Sequence, residues 1–273
     1  MAKTMSRARG RPKSFHDKTE SVTIQSLDRA LAVLKIVSDG SGMSLTEIAE
    51  AGDQSPATVY RILTTFGLHA VVDFDERTQL WHVGAGAFRI GSSFLRRTRL
   101  VEQSRVVMER MMVESGETAN LAIIDHGEVI FISQIETHEP IRAFFRPGTR
   151  GPVHASGIGK AILAYQPIEQ ARATLRGGAL EMFTDHTIVA ENTLLEELDT
   201  IRSRGWAVDD EERTNGMRCI AAPIFNQFAE AVAGVSVSGP TVRMTGGRDA
   251  ALGELVRQAA DEITDAIGGR LPG

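Results

Sequence analysis

Cysteine is nearly missing from this chain: Cys219 stands alone in 273 residues. One thiol excludes an intramolecular disulfide and a cysteine-based structural zinc site. No apolar run reaches the roughly 18–20 residues that a membrane helix needs. The basic N-terminus has no apolar stretch behind it, as a secretory signal would. There is no internal repeat, and no low-complexity tract beyond the first twenty residues. These absences predict a cytoplasmic protein held together by packing. At 42% hydrophobic residues the chain can bury a proper core, and its length favours two domains.

An even balance of charge is also missing. Residues 1–100 carry a net charge of +4 and residues 101–273 a net charge of −9. A basic segment attracts phosphates and releases counterions from nucleic acid, which an acidic domain cannot do. The halves are therefore expected to meet different partners. The basic half begins with "SRARGRPKSF", four cations around Gly10 and Pro12. With almost no large apolar side chain, residues 1–21 read as a flexible basic arm.

Order is expected from about residue 22. "QSLDRALAVLKIVSD" sets Leu27, Ala30, Leu31, Leu34 and Val37 at helical spacing, with Ser26 as a cap and Asp39-Gly40 as a stop. "SLTEIAEAG" opens with Ser44 and Glu47 at capping-box spacing and ends at Gly52. After a short turn, Ser55 caps a third helix with Pro56 at its first position and Val59, Ile62, Leu63 and Phe66 on its buried stripe. Two short helices joined by a tight turn form a helix-turn-helix pattern. "VVDFDERTQLWHVG" then reads as two strands of a wing. A long helical pattern follows, with Phe88, Ile90, Phe94 and Leu95 apolar and Arg96, Arg97 and Arg99 grouped. It is read as a linker helix over 86–103.

From Thr118 the texture turns to strands: "NLAIIDHGEVIFISQIE" with a His126-Gly127 turn, then "IRAFF". Helices are expected at "GIGKAILAYQ", near 168–176 and over 192–204. The strands "GWAVDD", "RCIAAPIFN" and "AVAGVSVSG" and an amphipathic helix at 247–266 complete the chain. The fold class is therefore α+β with two domains, the second a mostly antiparallel sheet packed with helices.

"IQSLDRALAVLKIVSDGSGMSLTEIAEAGDQSPATVYRILTTFGLHAVV" resembles the DNA-binding domain of the IclR family of bacterial transcriptional regulators. "HASGIGKAILA" and "VDDEERTNGMRCIAAPI" look like that family's two effector-domain signatures. The resemblance covers about residues 22–268. It implies a winged helix-turn-helix over 22–85 and a GAF/PAS-like effector-binding and oligomerisation domain over 104–268. It also implies operator DNA as a partner, bound by a homodimer that assembles to a tetramer. A helix fits the major groove and reads bases from its N-terminal residues. On the third helix the candidates are Ser55, Ala57, Thr58, Tyr60, Arg61 and Thr64. Arg61 suits either a guanine edge or a phosphate, and Tyr60 either DNA or partial packing. Arg9 and Arg11 of the Arg-Gly-Arg-Pro stretch suit a narrow minor groove, or else form an unspecific basic tail.

Lys160 after Gly157 and Gly159 invites a phosphate loop, but the Walker pattern needs glycine at 154 and Ser or Thr at 161. The chain has His154 and Ala161. A two-glycine loop opening a helix instead offers free amides to a carboxylate, at Gly157 and Ile158 with Ser156 beside them. Asp209 or Asp210, Cys219, Ser236 and Ser238 are the further polar candidates. Ser236 and Ser238 share one strand face with Gly234, which would leave room for a ligand. In IclR members that sense glyoxylate, residues of these types hold the ligand. The resemblance thus points to glyoxylate or a related 2-oxo or 2-hydroxy acid as effector.

Plainer readings stay open: Cys219 as a small buried hydrophobe, Ser236 and Ser238 facing solvent, and a C-terminal domain that only dimerises. An enzyme built on Cys219, His154 and Asp209 has no local signature. His154, Asp185 and His186 lack metal-ligand spacing. No cofactor, metal, membrane partner or catalytic activity is expected.

Overall fold

The computed structural model describes residues 23–175 and 180–272. They form two compact units that divide between Phe94 and Leu95.

The first unit opens with helix α1 (Gln25–Asp39), followed by α2 (Leu45–Ala51), α3 (Pro56–Leu68), strand β1 (Val72–Asp75) and strand β2 (Leu80–Val83). The capping box of α2 is formed: Ser44 accepts from the Glu47 amide while the Glu47 carboxylate accepts from the Ser44 amide. The α3 cap is formed as well, with Ser55 Oγ accepting from the Thr58 amide at 3.2 Å and Pro56 in the first turn. The antiparallel β1–β2 pair is the wing, and Phe74 and Trp81 pack across it at 4.8 Å. Val33, Val37, Ile48, Ala49, Val59, Leu63, Val72 and Trp81 make the core.

Helix α1 departs from expectation twice. It starts at Gln25 with Ile24 at the cap position, so Ser26 lies inside the helix and caps nothing. Its buried stripe runs through Val33 and Val37, while Leu27 and Leu31 stay about half exposed. The helix carries two apolar stripes, and only one can face α2 and α3.

Helix α4 (Ala85–Thr98) and helix α5 (Leu100–Ser115) occupy the stretch read as one linker helix. The helix is interrupted at Arg99, whose φ of 50° is left-handed. Spacing alone does not reveal such a break, because the apolar period resumes on the other side of it.

The second unit is built on a six-stranded antiparallel sheet in the order β5-β4-β3-β8-β7-β6. Its strands are β3 (Thr118–Asp125), β4 (Glu128–Ile135), β5 (Arg150–Pro152), β6 (Ala207–Asp210), β7 (Met217–Phe225) and β8 (Ala231–Pro240). The β3–β4 hairpin turns at His126 and Gly127, both at positive φ, as a two-residue turn of matching twist requires. The "IRAFF" segment is not a strand. The edge position beside β4 is taken by β5 instead, and Phe145 stacks on Phe131 of β4 at 4.5 Å.

Alternation along the strands gives each sheet face its own core. Leu121, Ile220, Ala222, Val235 and Val237 pack with α5 and with the last helix, α9 (Asp249–Ala266). That helix follows a short 3₁₀ turn at Gly246–Arg248, so it begins two residues later than expected. Ala122, Phe131 and Ala221 on the other face pack with α6 (Gly157–Leu163), α7 (Ile168–Leu175) and α8 (Glu191–Arg204). Among the described residues no helix is long and apolar enough to cross a membrane.

Candidate functional site

In the first unit, the 3.6-residue period that buries Val59 and Leu63 turns the rest of α3 outward. Ala57, Tyr60, Arg61 and Thr64 share an exposed face at i, i+3, i+4 and i+7. Ser55 and Thr58 are occupied in the cap, their hydroxyls 2.9 Å apart. Thr64 donates to the Tyr60 carbonyl at 2.8 Å, which leaves the hydroxyl oxygen able to accept. The Arg61 guanidinium makes no ion pair or hydrogen bond among the described residues. Tyr60 is 55% exposed on this outer face. Thr58 and Arg61 also line a groove of about 430 Å³ whose other wall is α1, including Arg29. Arg29 had no signal in the sequence, because its proximity to α3 is a matter of helix packing. Arg9 and Arg11 lie outside the described residues.

In the second unit, strand register assembles the other set. Asp209 of β6 stands opposite Cys219 of β7, which stands opposite Ser238 of β8, so three polar side chains form one row across the sheet. The neighbouring row on the same face holds Ala221, Ser236, Asn120 and Gln134. Helix α6 crosses above, and its capping residue Ser156 accepts from the Gly159 amide at 3.4 Å. Ser156, Ile158, Asp209, Cys219, Ser236 and Ser238 together line a cavity of about 30 Å³, closed by Phe131, Phe145, Ala155 and Arg213. That volume suits about two water-sized groups. Sequence reasoning named six of these ten residues. Phe131, Phe145, Ala155 and Arg213 carry no polar motif and arrive through the fold.

Gly157 abuts the cavity: a Cβ there would sit 3.0 Å from Cys219 Sγ. Asp210 is not brought in. One residue beyond Asp209, it points to the other face and binds Arg218 at 2.7 Å. Arg218 also binds Asp249 of α9 and the Met244 carbonyl. Gly234 does not leave room for a ligand, since Ile158 fills the place where its side chain would stand. His154 is absent from the cavity lining, with Nε2 3.0 Å from the Glu181 carbonyl oxygen. The Cys219, His154 and Asp209 constellation that an enzyme would need is therefore not assembled.

The cavity's polar groups are unequally satisfied. Ser238 accepts from Asn120 at 3.1 Å, and Asn120 accepts from Gln134 at 2.9 Å, so a buried relay fixes that hydroxyl. Ser236 is fully buried, with the Cys219 thiol beside it and no nitrogen or oxygen partner. A buried hydroxyl without a strong partner is costly, and such groups mark sites that a ligand completes. Asp209 Oδ1 accepts from the Glu212 amide at 2.9 Å. Burial first, and the nearby Glu212 charge second, push the Asp209 carboxyl up to about 7 against the pull of Lys160. Burial and Asp209 push the Cys219 thiol up to about 11. Behind this row Lys160 and Glu212 form a buried ion pair. Thr184 and Thr187 hold the loop at 211–212 through its carbonyl oxygens.

Residues 26–69 match the IclR helix-turn-helix domain, and residues 92–265 match the C-terminal domain of bacterial transcriptional regulators of the IclR type. The chain is 51% identical over 261 residues to the HTH-type transcriptional regulator BhcR of Paracoccus denitrificans, covering 94% of each chain. It is 37% identical over 264 residues to the transcriptional repressor IclR of Escherichia coli, covering 96% of each. Among solved structures, the IclR protein of Thermotoga maritima superimposes with a TM-score of 0.76 at 29% identity, over 89% of this chain and 99% of that one. This chain belongs to the IclR family: it is a DNA-binding transcriptional regulator with a C-terminal effector domain, and not an enzyme.

Proposed function

We propose that the regulator binds a pseudo-palindromic operator in the cytoplasm and is controlled by a small carboxylate, with glyoxylate the leading candidate, held in the cavity under α6. The fully buried Ser236 hydroxyl, short of a strong partner in a cavity of about 30 Å³, carries this reading. Asp209, Cys219 and Ser238 in one row supply further polar contacts, and the first-turn amides at Gly157 and Ile158 have no acceptor within the helix. A cavity this small disfavours an aromatic acid.

Residues 22–85 read DNA, with Ser55, Ala57, Thr58, Tyr60, Arg61 and Thr64 at the groove. Residues 1–21 add a basic arm through Arg9 and Arg11. The segment 86–103 transmits the effector's signal from the domain at 104–268. Symmetric half-sites need a symmetric protein, which supports a homodimer assembling to a tetramer. A coupling of about 1–3 kcal/mol changes operator affinity about 5–150-fold, enough to switch a promoter.

Calorimetric titration with glyoxylate, pyruvate, glycolate and protocatechuate at fixed salt tests the assignment. Saturable glyoxylate binding that disappears in Cys219→Ala or Asp209→Ala places the ligand here. Absence of heat from every acid leaves the DNA-binding reading standing and returns the identity of the effector to unknown.

A further inference from the structure

We infer that Asp209 meets its ligand as an uncharged carboxyl that donates a hydrogen bond to the acid anion, so that binding draws a proton onto any site that has lost one. The inference rests on the effector reading above and adds the chemistry by which the cavity selects its ligand. An acceptor-only carboxylate would repel the anion that the rest of the cavity is shaped to hold; a protonated one has a donor to offer.

Every charged or titratable group facing Asp209 can be accounted for. Glu212, from the loop after β6, gives its amide to Asp209 Oδ1 at 2.9 Å and its carboxylate to Lys160 of α6. Lys160 is therefore committed to Glu212, and Arg213 is the other cation whose charge reaches Asp209. Arg213, from the same loop, reaches the Arg150 carbonyl oxygen at 3.4 Å and packs against Gly151. Cys219 of β7 keeps its proton at neutral pH. Asp210 faces away, paired with Arg218.

Asp209 Oδ2 has no donor among the described residues, and its side chain lines the cavity. An entering anion would be a third negative group beside Asp209 and Glu212, against the two cations Lys160 and Arg213. Unit charges a few ångströms apart in a poorly hydrated cavity repel strongly, and a proton on Asp209 removes the repulsion. The carboxyl already holds its proton up to about pH 7, and a bound anion raises that limit further. Independently of Asp209, the buried Ser236 hydroxyl at the same cavity, which has only the Cys219 thiol beside it, points to a ligand.

The test is calorimetry of the full-length protein with glyoxylate between pH 6 and pH 8.5, in phosphate and in HEPES, whose ionisation heats differ and neither of which condenses with the aldehyde. Glyoxylate is itself an anion throughout this range. The expected result is an affinity that falls about ten-fold per pH unit above pH 7, with buffer-dependent heats equivalent to about one proton taken up per site at the top of this range and little uptake at pH 6. Asp209→Asn, whose amide donates at every pH, is expected to bind with an affinity that no longer varies with pH. Glyoxylate binding with a flat profile and equal heats in the two buffers overturns the inference and leaves the effector reading intact. So does an Asp209→Asn protein that keeps the wild-type slope. No heat from any acid at any pH overturns both.

Discussion

Lys160 and Glu212 form an ion pair whose side chains are 1% and 6% exposed, directly behind the cavity that Asp209 lines. Lys160 is fixed by the helix that crosses the sheet, and Glu212 by a loop pinned through Thr184 and Thr187. The pair therefore joins the two family signatures of the effector domain, 52 residues apart in the chain.

Removing one partner leaves a buried charge uncompensated. Lys160→Met is expected to destabilise the effector domain by about 3–5 kcal/mol. The double variant Lys160→Met/Glu212→Leu should recover most of that loss, because an apolar replacement of a buried pair is often neutral. Urea denaturation of the wild type, both single variants and the double variant measures it. Equal, additive losses in the single variants would show that the pair is not coupled.

The raised carboxyl of Asp209 makes stability depend on pH in the opposite sense to a salt-bridged aspartate. The folded protein keeps a proton that the unfolded chain has released above its ordinary value of 3.8, up to about 7. This group's contribution is therefore greatest below pH 4, declines as pH rises from about 4 to 7, and is constant above that. Thermal unfolding at pH 5, 6, 7 and 8 should show Asp209→Asn gaining on the wild type as pH rises. A difference independent of pH would mean that the carboxyl titrates normally.

Cys219 is expected to be a poor nucleophile. With its thiol pushed up to about 11 from an ordinary 9, the native protein should react with iodoacetamide at pH 7.5 roughly a hundred-fold more slowly than an unperturbed thiol. Unfolding in urea should restore the ordinary rate. Mass spectrometry of quenched time points reads both.

Arg61 lies exposed on the outward face of α3 with its guanidinium unengaged among the described residues, so Arg61→Ala should leave the unfolding midpoint of the protein unchanged. Operator affinity should fall by about 1–3 kcal/mol. If the side chain reads a guanine, the loss is confined to one base position. If it binds a phosphate, the loss is uniform across sequences and the salt slope of binding falls by about one unit. Fluorescence anisotropy over a salt series and a set of single-base operator variants distinguishes the two.

Ser55 makes a complementary case. Its hydroxyl caps α3, so Ser55→Ala should cost about 1 kcal/mol of stability as well as any contact with DNA. Ser55→Asp, which restores a cap but adds a negative charge beside the groove, should recover stability and not operator affinity.

What the sequence determined by itself is local. Capping chemistry and a 3.6-residue period named α2 with both its ends and α3 with its start, because Ser44, Glu47, Ser55 and Pro56 act within one turn of their own backbone. Three ordered signatures named the family. Strand alternation predicted that Ser236 and Ser238 share a face, since that follows from the pleat alone. What only the tertiary structure decided depends on which strand lies beside which. Asp209, Cys219 and Ser238 form a row because β6, β7 and β8 pair in one register, and the same register sends Asp210 to Arg218 on the opposite face. Packing, not pattern, chose Val33 over Leu27 for the core and filled the space at Gly234 with Ile158. The buried Lys160–Glu212 pair was equally out of reach, because each residue taken alone reads as a surface charge until the fold removes both from water.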